Sequence, residues 1–218
     1  MSPGASLRAA LRDFYHHSWR FFLLNAALSA FVVPIAVAGL WVPPVWLLLV
    51  AAGPLAAALM HCAIAAAVTD ELRLHDALTG LRLHWRRGLA LGTVVVVGAL
   101  AGVYAIRFYS GRGALVLAAL GVYFLLAFGV FQLVLWPLAV FEFASPIRRV
   151  AADALRTLLR RPLQAFVLAL ALLAVNLAGV AAAVMPFLTL TIAYSFLAAA
   201  RFALPPTTTL EVSDQWPA

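Results

Sequence analysis

Residues 70–88 read DELRLHDALTGLRLHWRRG, and this stretch gathers nine titratable side chains into nineteen residues. The chain around it is 66% hydrophobic and only 11% charged over 218 residues, with a mean hydropathy of +1.03. Soluble domains carry about 25% charged residues, so this chain has too few polar side chains to cover a surface in water. The sequence therefore predicts an all-α membrane protein in which 70–88 is a loop between spans.

The apolar tracts on both sides of that stretch predict the spans. No Asp, Glu, Lys or Arg occurs between Phe21 and Thr69, and one helix of that length would run ~70 Å, against a hydrocarbon core of ~30 Å. The chain must turn, and WVPPVW at 41–46 supplies prolines that stop a helix and tryptophans that suit the headgroup layer. The same length argument divides the last tract near Met185-Pro186.

These turns predict a single membrane domain over 1–205, followed by a short cytosolic tail at 206–218. The domain has six transmembrane helices, expected at about 20–40, 45–68, 89–107, 114–138, 163–183 and 186–204.

Three polar segments have the spacing of amphipathic helices and are expected to lie in the cytosolic interface. They are residues 6–18, 72–84 and 150–160. In the third segment, Ala151, Leu155 and Leu158 are predicted to share the apolar face.

The distribution of arginine predicts the orientation of the chain. All fifteen basic residues are arginine, and thirteen of them fall in segments on one side of the predicted bundle. Only Arg107 and Arg112 fall on the other side. Because positive charge stays in the cytosol, both termini are predicted to be cytosolic. The abundance of arginine and alanine suggests a bacterial genome rich in G and C, and hence the bacterial inner membrane.

The net charge of +7 does not indicate a nucleic-acid-binding protein, because no RNA- or DNA-binding motif accompanies the arginines. The predicted partner is the lipid bilayer, whose anionic headgroups attract arginine. Five arginines lie where a surface segment meets a span, and they could contact either lipid headgroups or an acidic partner domain. They are Arg20, Arg86, Arg87, Arg160 and Arg161.

Polar residues within the predicted spans are the candidates for an intramembrane polar path. They are Asn25, His61, Gln132 and Asn176. An amide buried in hydrocarbon without a partner is costly, so these side chains should face other helices, either as contacts between helices or as the lining of a path. His61 could be a hydrogen-bonded imidazole or part of a proton relay. It cannot easily share an ion with its neighbour Cys62, because adjacent residues point about 100° apart on a helix.

Glycines in the third predicted span indicate close contact between helices. Gly88, Gly92, Gly98 and Gly102 include two GxxxG spacings, which allow two backbones to approach.

Motifs for catalysis are missing from the sequence. It has no HExxH, no GxSxG and no lysine for a Walker motif. We therefore expect no catalytic residues, no metal, no cofactor and no enzymatic activity.

The order of several motifs resembles the YesL-like family of bacterial integral membrane proteins, a domain of unknown function. The similarity runs from about Leu11 to Pro205. Its motifs are FYHHSWRFFLLNAAL at 14–28, GPLAAAL at 53–59, GLRLHWRRGLALG at 80–92, RRPLQAF at 160–166 and ARFALPP at 200–206.

The resemblance implies an accessory role in carbohydrate uptake, because genes of that family often neighbour those of ABC transporters for carbohydrates. Membrane subunits of such a transporter are then the expected protein partners. The family supplies no catalytic residues. This chain differs from the family in carrying the pair His61-Cys62 in its second helix. The alternative from the residues themselves is a small transporter or channel whose path runs past the four polar residues.

Overall fold

The computed structural model describes residues 2–69, 72–181 and 190–204, and the regular elements within these ranges are helical. In chain order they are α1 (Pro3–His16), α2 (Ser18–Trp41), a 3₁₀ helix (Pro43–Ala52), α3 (Gly53–Thr69), α4 (Leu74–Ser110), α5 (Leu115–Phe141), α6 (Ile147–Arg160), α7 (Pro162–Ala181) and α8 (Ile192–Ala203).

Within the described ranges, five helical stretches are long and apolar enough to cross a membrane. They are α2, the 3₁₀ helix continued by α3, α4, α5 and α7. The shorter apolar helix α8 has twelve residues and covers part of the sixth predicted span, 186–204. The predicted break at Met185-Pro186 lies outside the described residues, as does the predicted tail at 206–218.

Helix α4 differs from the sequence prediction, because residues 74–110 form one helix of 37 residues. The sequence predicts a separate interfacial helix over 72–84 and a span over 89–107. No proline interrupts this stretch, and Gly88 does not end the helix because it packs against α3. Similarly, α5 continues through Pro137 to Phe141, as membrane helices allow when neighbouring groups satisfy the freed carbonyl.

Helix α6 packs on the core through a face that includes Val150, Ala154 and Leu158. The prediction that Leu155 shares this face is wrong, because its side chain is 48% exposed beside Leu159, which is 69% exposed. Residues 154 and 158 are one helical turn apart, whereas residue 155 is rotated about 100° from residue 154.

The seam between α3 and α4 is built from small residues. Every fourth residue of α4 from 80 to 92 contributes to it, in the order Gly80, His84, Gly88 and Gly92. A Cβ atom on Gly88 would lie 2.6 Å from the Cα atom of Pro54, and one on Gly92 would lie 2.8 Å from the carbonyl oxygen of Val50. The two backbones are therefore in direct contact, as the GxxxG spacing predicts.

The second half of the glycine series faces α5. A Cβ atom on Gly98 would contact the ring of Phe128, and one on Gly102 would contact Leu125. One face of α4 therefore packs against α3 and another packs against α5.

Helix α1 is fixed to the last described helix. The guanidinium of Arg201 in α8 donates two hydrogen bonds to Asp13 Oδ2, at 2.8 and 2.6 Å. The hydroxyl of Tyr194 donates to the carbonyl of Leu7 at 3.2 Å. The first contact joins the C-terminal ends of α1 and α8, and the second joins their N-terminal halves, so the two helices pack side by side in the same direction.

Two further arginines join helix ends. Arg20, in the first turn of α2, donates to the carbonyl of Leu72, just after α3. Arg87 of α4 donates to the carbonyls of Glu142 and Ser145, just after α5, at 2.9 and 2.6 Å. The beginning of α2 and the ends of α3 and α5 therefore gather at one end of the bundle.

Candidate functional site

The structure pairs His61 of α3 with His84 of α4. His61 Nδ1 lies 3.2 Å from His84 Nε2, and each side chain is only 1% exposed. Gly80 makes room for the pair, because a Cβ atom there would lie 2.9 Å from His61 Cβ. On its other side, His84 meets the edge of the Phe143 ring at 5.9 Å between centroids. The two imidazoles are thus held between three segments of the chain.

Sequence reasoning missed His84. It lies in the charged stretch LRLHWRRG, which favours interpretation as a loop, whereas α4 continues through it. The signal that could have found it is the spacing of Gly80, His84 and Gly88, which places the histidine in the middle of a small-residue stripe.

Charged and polar groups surround the histidine pair unevenly. The carboxylate of Asp76 interacts electrostatically with His61, and the guanidinium of Arg87 interacts electrostatically with His84. The Cys62 thiol is fully buried in the next position of α3. His84 Nδ1 is buried and has no hydrogen-bond partner in the described part of the chain.

Metal binding needs more ligands than this pair supplies. Among the described residues, no group of three or more His, Cys, Asp or Glu side chains could hold a metal ion.

The amides of α2 and α5 lie in the packed core. Asn25 is fully buried and Gln132 is 9% exposed. Within the described ranges, neither the oxygen nor the nitrogen of either amide has a hydrogen-bond partner. Such groups are rare in folded proteins, because an unsatisfied buried amide carries its full desolvation cost.

Asn176 of α7 is partly buried. Its amide nitrogen donates to the carbonyl of Leu172 at 2.7 Å and to the hydroxyl of Ser195 at 2.9 Å. Asn176 and Ser195 line a groove of about 510 Å³ whose other walls are apolar side chains of α5 and α7. Of the four predicted polar residues, His61 pairs with His84 and Asn176 pairs with Ser195, whereas Asn25 and Gln132 are buried without a hydrogen-bond partner in the described ranges.

The five candidate arginines divide into two groups. Arg20 and Arg87 are partly buried and bind backbone carbonyls at the ends of α3 and α5. Arg86, Arg160 and Arg161 have exposed side chains. Arg20 and Arg86 also stack on the neighbouring tryptophans, with the guanidinium carbon 5.4 Å from the Trp19 ring and 5.1 Å from the Trp85 ring. Such contacts suit a membrane interface.

Comparison with known proteins gives this chain no family. It matches no family model, no curated protein and no solved structure.

The chemistry of the site is that of two imidazoles sharing one hydrogen bond. One ring donates its N–H and the other accepts it, and either tautomer satisfies the contact. The arrangement can take up a proton, because neutral imidazole keeps one basic nitrogen.

Proposed function

We propose that this chain is a six-span protein of the bacterial inner membrane, with both termini in the cytosol, and that it is a non-enzymatic accessory to a transport system. The observation that carries the accessory role is the burial of Asn25, His61 and Gln132 inside the bundle. A carrier should instead bring such residues to a water-accessible cavity near the middle of the membrane.

The contact between Asp13 and Arg201 supports the sixth span. Five described helices long enough to cross a membrane separate the two residues, and five crossings alone would leave them on opposite sides. Their hydrogen bond requires the chain to return, which favours an even number of crossings. Helix α8 would be the cytosolic part of the sixth.

The arginines support the orientation. The segments that carry thirteen of them adjoin the helix ends joined by Arg20 and Arg87, whereas Arg107 and Arg112 flank the turn between α4 and α5. A cytosolic location for the arginine-rich end follows from the positive-inside rule. Helices α1 and α6 would then lie at the cytosolic surface.

The proposed protein partner is a membrane subunit of an ABC transporter, possessing an acidic surface, and carbohydrate is the proposed cargo. This part rests on the resemblance to the YesL-like family. Arg86, Arg160 and Arg161 are exposed, which leaves them available for such a surface or for anionic lipid.

Co-purification tests the proposal. The protein would be isolated from native membrane under mild conditions, and the proteins that travel with it would be identified by mass spectrometry. The combined change Arg160→Gln and Arg161→Gln should leave insertion and orientation intact, since the remaining arginines still favour the same side. Loss of a co-purified transporter subunit in this variant alone would support docking through these residues.

The matched control is Arg107→Gln with Arg112→Gln, at the other end of the bundle, which should retain the partner. If the native preparation carries no transporter subunit, the accessory role is wrong.

The unpartnered amides of Asn25 and Gln132 favour the second candidate, a small transporter or channel. Polar groups without partners in the core are what a hydrated path would use. Liposomes containing the purified protein would test it by flux of small solutes and ions. Flux abolished by Asn25→Leu or Gln132→Leu would make the chain a carrier, and absence of flux in the unaltered protein would exclude this candidate for the solutes tested.

A further inference from the structure

The buried histidine pair has a consequence for the α3–α4 seam that is independent of transport. His61 and His84 occupy the only described positions where imidazoles face each other across that seam, and glycines pack the seam on both sides of them. Protonation of this pair would therefore place a buried charge between two helices whose backbones are in direct contact.

A further proton on His84 has no hydrogen-bond acceptor among the described residues of the closed seam. If His61 donates to His84, then His84 Nδ1 already carries a hydrogen. If His84 donates to His61, then His84 Nδ1 holds a lone pair. In both cases a protonated His84 has an N–H at Nδ1, and the described residues offer no acceptor for it.

The surroundings add to this cost. His84 is 1% exposed, so a charge there is removed from water. Arg87 lies one turn along the same helix and acts on His84 with like charge, and the facing Phe143 ring brings no counter-charge. Asp76 acts favourably on His61, and Cys62 is the remaining titratable neighbour on α3.

We propose that the His61–His84 pair is a proton-binding site that keeps the α3–α4 seam closed at neutral pH and loosens it when the pair takes up a further proton. An imidazole exposed to water takes up a proton at a pH near ~6.5. Because the opened seam binds that proton more readily than the closed seam, closure is full above this pH and weakens as the pH falls below it.

Cys62 provides the measurement. It is the single cysteine of the chain and is fully buried beside His61. The full-length protein in lipid nanodiscs would react with a disulfide reagent between pH 8 and pH 5, and each rate would be divided by that of the unfolded chain at the same pH. We expect the relative rate to rise by up to about tenfold per pH unit below ~6.5.

The decisive variant is His84→Gln, since glutamine can keep a hydrogen bond to His61 but does not titrate. Its relative rate should stay low and nearly constant over the same pH range. The matched control is His75→Gln, which removes an exposed imidazole from the same helix and should keep the profile of the unaltered protein. A flat profile in the unaltered protein, or an unchanged profile in His84→Gln, would overturn the proposal.

A second measurement covers the case in which His84→Gln does not insert. Nitrogen NMR of ¹⁵N-histidine-labelled protein in lipid reports the charge of each imidazole. We expect the two buried rings to be neutral at pH 8 and one or both to become charged by pH 5. Two buried rings that remain neutral at pH 5, with Cys62 still protected, would refute the proton site.

Discussion

Gly53 and Gly88 contact each other backbone to backbone, so that a Cβ atom on either would strike main-chain atoms of the other helix. Neither helix can relieve such a clash by moving a side chain. The α3–α4 seam therefore depends on the absence of side chains at these positions.

The change Gly88→Ala should consequently destabilise the protein. The added methyl group would lie 2.6 Å from Pro54 Cα, and overpacking of this kind costs about 1–3 kcal/mol. Thermal unfolding in detergent would measure the loss. The control is Gly129→Ala on α5, where nothing lies within 4 Å of the new atom and the midpoint should stay the same or rise. Equal midpoints for the two variants would contradict the backbone contact.

The ion pair between Asp13 and Arg201 predicts a large effect for Asp13→Asn. Asp13 is 1% exposed and the Arg201 side chain is 19% exposed, and removing one partner of a buried pair costs about 3 kcal/mol. Denaturant or thermal unfolding would detect it.

The same substitution in an exposed pair provides the control. Asp153 accepts from Arg156 at 2.8 Å on the surface of α6, where such pairs contribute about 0.3–0.5 kcal/mol. Asp153→Asn should thus change little, and a similar loss in both variants would show that α1 is not held by its carboxylate.

Arg87 predicts a local rather than a global effect. Its guanidinium holds the carbonyls of Glu142 and Ser145, and hydrogen bonds from a charged donor contribute about 1.5–3 kcal/mol. Arg87→Gln should therefore speed hydrogen exchange and proteolysis between α5 and α6. The adjacent change Arg86→Gln removes an exposed guanidinium and should leave these rates unchanged. If both variants behave alike, the contact does not hold the connection.

The six-span proposal predicts the accessibility of residue 185. With Cys62 replaced by Ala, a cysteine introduced by Met185→Cys should react with a membrane-impermeant thiol reagent added outside intact cells. A cysteine introduced by Arg160→Cys should react only after the cells are opened. Labelling of position 185 from neither side would show that the chain does not turn there.

The sequence predicts the long apolar helices well, because length and the absence of charge determine them. Helix α2 at Ser18–Trp41 and helix α7 at Pro162–Ala181 lie close to the predicted 20–40 and 163–183. Only the run of charged residues predicts an interruption of α4 before residue 89, and charge does not stop a helix whose other face is packed. His84 lies on that packed face. Predicting a break before residue 89 therefore missed both the long helix and the histidine pair.

Pairing across helices could not be predicted in the same way. His61, Asn25 and Gln132 are polar residues in apolar tracts, so the sequence predicts that they face other helices. A single sequence does not reveal which helix each one faces. The structure gives His61 a partner 23 residues along the chain and leaves the two amides without one in the described ranges. Such differences depend on the rotation of each helix, and uniformly apolar helices specify that rotation weakly.

The hydrogen bonds between Asp13 of α1 and Arg201 of α8 can form only after both residues have been synthesised. Asp13 and Arg201 are 188 residues apart, and a ribosome adds about 5–20 residues per second. For about 10–40 s after Asp13 is synthesised, its carboxylate therefore lacks Arg201 as a partner. The contact between α1 and α8 can therefore form only after Arg201 has been synthesised.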